Sequence, residues 1–140
     1  MPDEPWDVKL FRRHRQDDPK ESCPAEEFLN TCPDSVAENF ITIIDAVAEA
    51  PPPQFSGGGM WEAMHGEMQG YYEARTRGSD RRLYRLFCIL EREGPGLDRP
   101  SIVLIAGLSK PVGTAFSKAD YLAIRKLGDE YRGRVPRSVA

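Results

Sequence analysis

Long apolar runs are missing from this chain of 140 residues. None approaches the roughly 18 residues that a membrane-spanning helix needs, so a spanning segment is excluded. Histidine is scarce: His14 and His65 stand alone. Cysteine is limited to Cys23, Cys32 and Cys88, an odd count whose spacing fits neither a zinc site nor a disulfide framework. Free thiols in a reducing cytoplasm are therefore expected. The opening stretch MPDEPWDVKLFRRHRQDD lacks the apolar core of a secretory signal, which points to the same compartment. The glycines at 57–59 are not followed by the Lys-Ser or Lys-Thr of a phosphate-binding loop, and no cofactor is expected.

What is present is ordinary for a globular protein, with 40% apolar and 29% charged residues. The length suits one domain spanning 1–140 with a single core. Charge is unevenly placed. Residues 1–50 hold 5 Lys+Arg against 12 Asp+Glu, a balance of −7, whereas residues 51–140 hold 14 against 10, a balance of +4. The split suits an anionic partner for the second half, and it also suits a simply balanced surface.

Hydrophobic periodicity gives the elements. Trp6, Val8 and Leu10 alternate with Asp7, Lys9 and Phe11, as in a half-buried strand. Residues 12–23 form a polar loop. Pro24 opens a short helix, AEEFLNTC, with Glu26 and Glu27 in its first turn. Pro33 and Asp34 start a longer helix with Val36, Phe40, Ile43, Ile44 and Val47 on its apolar stripe. The stretch PPPQFSGGG at 51–59 is a second loop. Strands are expected at 61–65, 71–77, 83–92 and 101–108, joined by short turns, with SKPVGT after the last of them as a loop. The final run, SIVLIAGL, is almost wholly apolar, as a strand covered on both faces requires. Ser117 and Asp120 form a box-like cap on a last helix striped by Tyr121, Ile124, Leu127 and Tyr131. The order predicts an α+β fold: a twisted antiparallel sheet with two N-terminal helices and a C-terminal helix, collected on one face of the sheet.

The hairpin GYYEARTRGSDRRLYRLFC, residues 70–88, carries the chemistry. Tyr71, Glu73, Arg75 and Arg77 share one side of their strand, because side chains alternate. Arg85 is embedded in an apolar run, where a cation is costly unless it meets water or an anion. Like-parity pairing puts Arg85 beside Arg75 and Glu73. The planar guanidinium fork matches phosphate oxygens. Lys110 and Arg125 would add positive charge, and Glu73, Tyr71, Tyr84 or His65 would serve as acid or base. The plainer alternatives are cross-strand ion pairs for Arg75 and Arg85, core packing for the tyrosines and a structural role for His65.

Taken together, Trp61–Gly66 with Gly70–Arg75, Tyr84–Cys88 and Ile102–Lys110 resemble the sheet of RelE/HigB-type toxins, the ribosome-dependent mRNA endonucleases of bacterial type II toxin–antitoxin modules. The likeness spans roughly residues 36–125. It implies the family's small sheet with two N-terminal helices on one face and a further C-terminal helix. It also implies a cytoplasmic toxin that enters the ribosome and cleaves mRNA through the RNA's own 2′-hydroxyl, without a metal. Site residues implied by position are Arg85 and Lys110, with Arg75, Glu73 and His65 as further catalytic candidates. Tyr71, Tyr84, Arg77, Arg81 and Arg82 are candidates for substrate binding. The implied partners are a helix-turn-helix antitoxin, the ribosome and mRNA, with operator DNA reached only through the antitoxin. Two alternatives stay open: a gyrase-targeting toxin of the ParE branch, and a binding module on the same scaffold without catalysis.

Overall fold

The structure, a computed structural model, describes residues 4–51 and 59–140. Most of the predicted loop at 51–59 lies outside these residues. The elements run β1 (Asp7–Leu10), α1 (Pro24–Thr31), α2 (Asp34–Glu49), β2 (Trp61–Ala63), β3 (Tyr72–Arg77), β4 (Arg82–Glu91), β5 (Ser101–Pro111) and α3 (Lys118–Arg132). The class is α+β, as the order of periodic segments predicts. The strands form one sheet in the order β1-β5-β4-β3-β2.

Local chemistry accounts for the helix boundaries. Pro24 takes the first helical position of α1, where its missing N–H costs nothing. In α3 the Ser117 hydroxyl accepts from the Asp120 amide at 3.1 Å, while the Ser117 amide donates to the Asp120 carboxylate at 2.8 Å. Two otherwise orphaned donors are thereby satisfied. Helix α2 buries Val36, Phe40, Ile43, Ile44 and Val47, the stripe its spacing predicts.

Strands β2 to β5 pair antiparallel, but β1 joins the sheet parallel to β5, with Val8 opposite Ile102. The helices α1 and α2 carry the chain from β1 across to β2 at the opposite edge, and β5 returns beside β1 only after β2, β3 and β4. Strand β2 is shorter than predicted. It ends at Ala63, and after Met64 and His65 a single 3-10 turn follows at Gly66–Met68, where Gly66 adopts a positive φ of 64°. Strand β5 is longer than predicted, since Ser109, Lys110 and Pro111 still pair with Tyr84, Leu83 and Arg82.

The helices do not collect on one face. Helices α1 and α2 cover a core that includes Trp61, Ala74, Tyr84, Leu86, Cys88, Ile102 and Leu104. Helix α3 covers the other side, where Phe11, Phe87, Ile89, Val103, Ile105 and Tyr131 are buried. Both sides of β4 and β5 are apolar, and each side needs a cover. One glycine on each side permits close approach. A Cβ on Gly107 would overlap one edge of the Phe28 ring of α1, and one on Gly128 of α3 would overlap the Tyr71 hydroxyl.

A bulge separates Phe87 from Cys88 on β4: Phe87 pairs with Ala106 and Cys88 with Leu104, leaving Ile105 as the extra residue on β5. Upstream, even-numbered residues of β5 face α1 and α2. Downstream, Ala106, Leu108 and Lys110 face α3.

Beyond α3 the chain returns to the sheet. Phe11 bridges Val139, the Arg12 amide donates to the Ser138 carbonyl at 3.1 Å, and the Ala140 amide donates to the Leu10 carbonyl at 2.9 Å. These last residues cover part of the outer edge of β1. The 12–23 segment contains no helix or strand, and Arg13 fastens it to α3 through Glu130 at 2.7 Å.

Candidate anion-binding site

The hairpin of β3 and β4 sets the site. Arg75 pairs directly with Arg85, Glu73 with Phe87 and Arg77 with Leu83. Glu73, Arg75, Arg77 and Arg85 therefore project from the α3 side of the sheet. The β5 bulge brings Lys110 to that side as well, opposite Leu83. Three of these cations, Arg75, Arg77 and Arg85, meet beside the start of β2. Strand β2 pairs with β3 only as far as Ala74, the Arg75 amide still donates to the Met60 carbonyl at 2.8 Å, and the described strands leave the edge open beyond it, at Arg77. The opening is a groove of about 340 Å3 lined by Met60, Arg75, Thr76, Arg77, Leu83 and Arg85.

Two guanidinium groups at directly opposed positions repel each other, and the structure offsets only part of this repulsion. Glu73 is 7% exposed. The Arg75 Nε donates to its Oε1 at 2.7 Å, and the Arg75 Nη2 lies at 2.7 Å from the same oxygen. Glu62 approaches Arg75 more loosely, at 3.7 Å. Arg85 has no ion pair among the described residues. Its Nη1 donates to the Tyr84 carbonyl at 3.0 Å. Burial holds the Arg85 pKa below its ordinary value; the Glu73 charge opposes this shift and the Arg75 charge adds to it. The site therefore presents a partly desolvated, preorganised cation whose charge Glu73 does not cancel.

The remaining candidates lie in different places. The Lys110 ammonium sits 4.7 Å from the centre of the Phe116 ring and forms no ion pair among the described residues. Arg77 is exposed at the groove. Arg81 is exposed in the turn, with φ at 62°, and its carbonyl accepts from the Val112 amide. Arg82 and Tyr84 project to the opposite side of the sheet. Arg82 donates to the Ser109 hydroxyl at 3.0 Å. Tyr84 is buried and donates to the Asp80 carboxylate, and burial with that bond pushes its pKa up to about 12. Tyr71 is buried beneath α3, where Arg132 stacks 5.4 Å from its ring centre. Arg125 lies one helical turn beyond Tyr121 and pairs with Glu67 at 3.8 Å. His65 is exposed at the far end of the hairpin. The four residue steps from Tyr71 to Arg75 separate it from the arginines by about 13 Å of strand.

Tyr121 joins the site, although its spacing marks it only as part of the apolar stripe of α3. It packs edge-on against Phe87 and Phe116, with ring centres 6.2 and 5.9 Å apart. Burial raises its pKa, the Glu73 charge adds to the rise, and the Arg85 and Arg75 charges oppose it. A hydroxyl at the exposed first turn of an otherwise apolar stripe is the available sequence signal.

This arrangement can bind an anion with planar or tetrahedral oxygens and stabilise charge that develops on it. No family model matches the chain, and no curated protein matches it. Its structure is similar to a chain of the toxin–antitoxin complex RelBE2 from Mycobacterium tuberculosis, at 15% identity and a TM-score of 0.47, covering 76% of this chain and 99% of that one.

Proposed function

We propose that this chain is the toxin of a bacterial toxin–antitoxin pair and cleaves ribosome-bound mRNA. One observation carries the reading: Arg85 is held partly desolvated opposite Arg75, with a single tightly bonded carboxylate to serve both. Such an arrangement costs stability and is accounted for by an anion that the free protein lacks. The sequence resemblance names that anion as an RNA phosphate.

In this chemistry a general base takes the 2′-hydroxyl proton and the oxygen attacks the adjacent phosphorus. The bond from phosphorus to the 5′-oxygen breaks as a general acid gives that oxygen a proton, leaving a 2′,3′-cyclic phosphate and a 5′-hydroxyl. Negative charge rises on the non-bridging oxygens between these events. Arg85 would hold those oxygens through its fork, and Lys110 would add a second positive charge from β5. Glu73 would fix Arg75 and neutralise part of its charge. Arg77 and Arg81 would guide the backbone toward the groove through salt-sensitive attraction. A helix-turn-helix antitoxin would silence the toxin in the cell, and operator DNA would be contacted only through that antitoxin.

The test is toe-printing of a defined message on purified ribosomes. Arg85→Ala should lower cleavage by about 10²–10³, the range for removing one preorganised donor, with an unchanged circular dichroism spectrum. Wild-type cleavage by a folded Arg85→Ala variant would return Arg85 to a structural role.

A further inference from the structure

We infer that the α1/α2 face carries a second interaction surface, one that takes a cationic amphipathic segment of a protein partner. It shares no residue with the arginine groove, so it stands or falls separately from the nuclease reading.

Two independent observations define the surface. The first is an apolar depression of about 170 Å3 between β1, α1 and α2, whose lining includes Val8, Leu29, Ile41, Ile44 and Leu104. Its rim is apolar as well: Ile41 is 56% exposed and Val8 is 40% exposed. Large apolar side chains left in water at the mouth of an apolar depression mark a place where another surface docks.

The second observation is charge. Helices α1 and α2 contain no lysine or arginine, but they carry Glu26, Glu27, Asp34, Glu38, Asp45 and Glu49, all exposed. None of the six forms an ion pair among the described residues. Elsewhere carboxylates do find cations, as Glu73, Glu91 and Glu130 do. Along α2, Asp34, Glu38, Ile41, Asp45 and Glu49 recur at three- and four-residue spacing, so they form one exposed stripe with an apolar residue at its centre. Asp45 also lines the depression itself.

An apolar seat inside an acidic stripe selects its occupant. A segment with Leu, Ile or Phe flanked by Lys or Arg would fill the depression and pair with the stripe. Nucleic acid and anionic membranes carry the wrong sign. A second copy presenting the same face would set six carboxylates against six.

The experiment titrates the full chain with a synthetic helical peptide bearing leucines on one face and lysines on the other. Two controls replace lysine by glutamate or leucine by serine. Amide shifts in the nuclear magnetic resonance spectrum should cluster at Val8, Leu29, Ile41 and Asp45, and binding should weaken as salt rises. Ile41→Ser and Asp45→Lys should each weaken binding about tenfold, as the loss of a central anchor does. Both residues are exposed, so both variants should fold, with circular dichroism as the check. Four results would overturn the inference: no binding, equal affinity for the glutamate peptide, shifts confined to Arg75 and Arg85, or undiminished binding by both variants. A peptide-free dimer abolished by Ile41→Ser would overturn it in favour of self-association.

Discussion

Arg75 and Arg85 stand directly opposite each other on neighbouring strands, and only Arg75 is bonded to a carboxylate, Glu73, at 2.7 Å. Like charges at opposed strand positions destabilise a hairpin, and burial makes the Arg85 charge costlier still. Replacing Arg85 by an apolar residue of similar length should therefore help the fold and harm the function. Arg85→Met is expected to raise unfolding free energy by about 0.5–1 kcal/mol in urea titration while losing cleavage activity. Arg85→Lys should keep part of the activity, because it retains charge without the fork. A destabilised Arg85→Met protein would mean that the pair is satisfied in the free molecule.

The seat of Tyr71 on Gly128 makes a second expectation. A methyl group at Gly128 would overlap the Tyr71 hydroxyl, and Cζ would lie only 2.7 Å away. Gly128→Ala should cost about 1–3 kcal/mol through overpacking, despite alanine's better helix propensity. Tyr71→Phe removes the hydroxyl but leaves the ring, so the double variant should recover part of that loss. A thermodynamic cycle over the four proteins measures the coupling. Strict additivity would show that α3 shifts to admit the methyl group.

Thiol chemistry reports on burial. The three cysteines are free: Cys23 is half-buried, and Cys32 and Cys88 are buried. Burial, with a smaller contribution from Asp80, pushes the Cys32 pKa up to about 11, and complete burial drives Cys88 higher. The thiolate is the nucleophile, so at pH 8 only about one Cys32 in a thousand is reactive. Titration with a chromogenic disulfide reagent should release one equivalent quickly from the native protein and the other two only on denaturation. Fast labelling of all three would mean that the α1/α2 core opens readily.

The cap on α3 can be removed from either side. Ser117→Ala and Asp120→Ala each delete one arm of the reciprocal pair and should each cost about 1 kcal/mol. Tyr121 sits just behind this cap, so fraying should also lower its protection against amide exchange. Equal protection in the variant and the parent would detach the cap from the order of the site.

Much of the architecture was legible in the sequence because burial repeats at fixed intervals. Phe40, Ile43, Ile44 and Val47 mark the inner stripe of α2, and Ser117 with Asp120 marks the start of α3. The hairpin register was only partly legible. It depends on a turn in which Arg81, a non-glycine residue, takes a left-handed conformation that no local pattern announces. The expectation that all helices share one face fails for α3, although the two-sided apolar strand at 101–108 requires a second cover. Tyr71 and Tyr84 were indistinguishable as sequence, and the structure buries them on opposite sides of the sheet. Tyr121 was hidden because a half-buried aromatic in a stripe looks like core.

Ile105 works like a shift in reading frame. Upstream of it, parity along β5 assigns even residues to one side; downstream, the same parity assigns them to the other. Lys110 lies on the arginine side only because Ile105 is left unpaired between Leu104 and Ala106. Were Ile105 to pair with Phe87 instead, every later residue would move one step along β4, and Lys110 would turn toward the α1 side. Deleting Ile105 would only close the bulge, with Lys110 still opposite Leu83. Pairing, as much as chemistry, decides which side the strand's end presents.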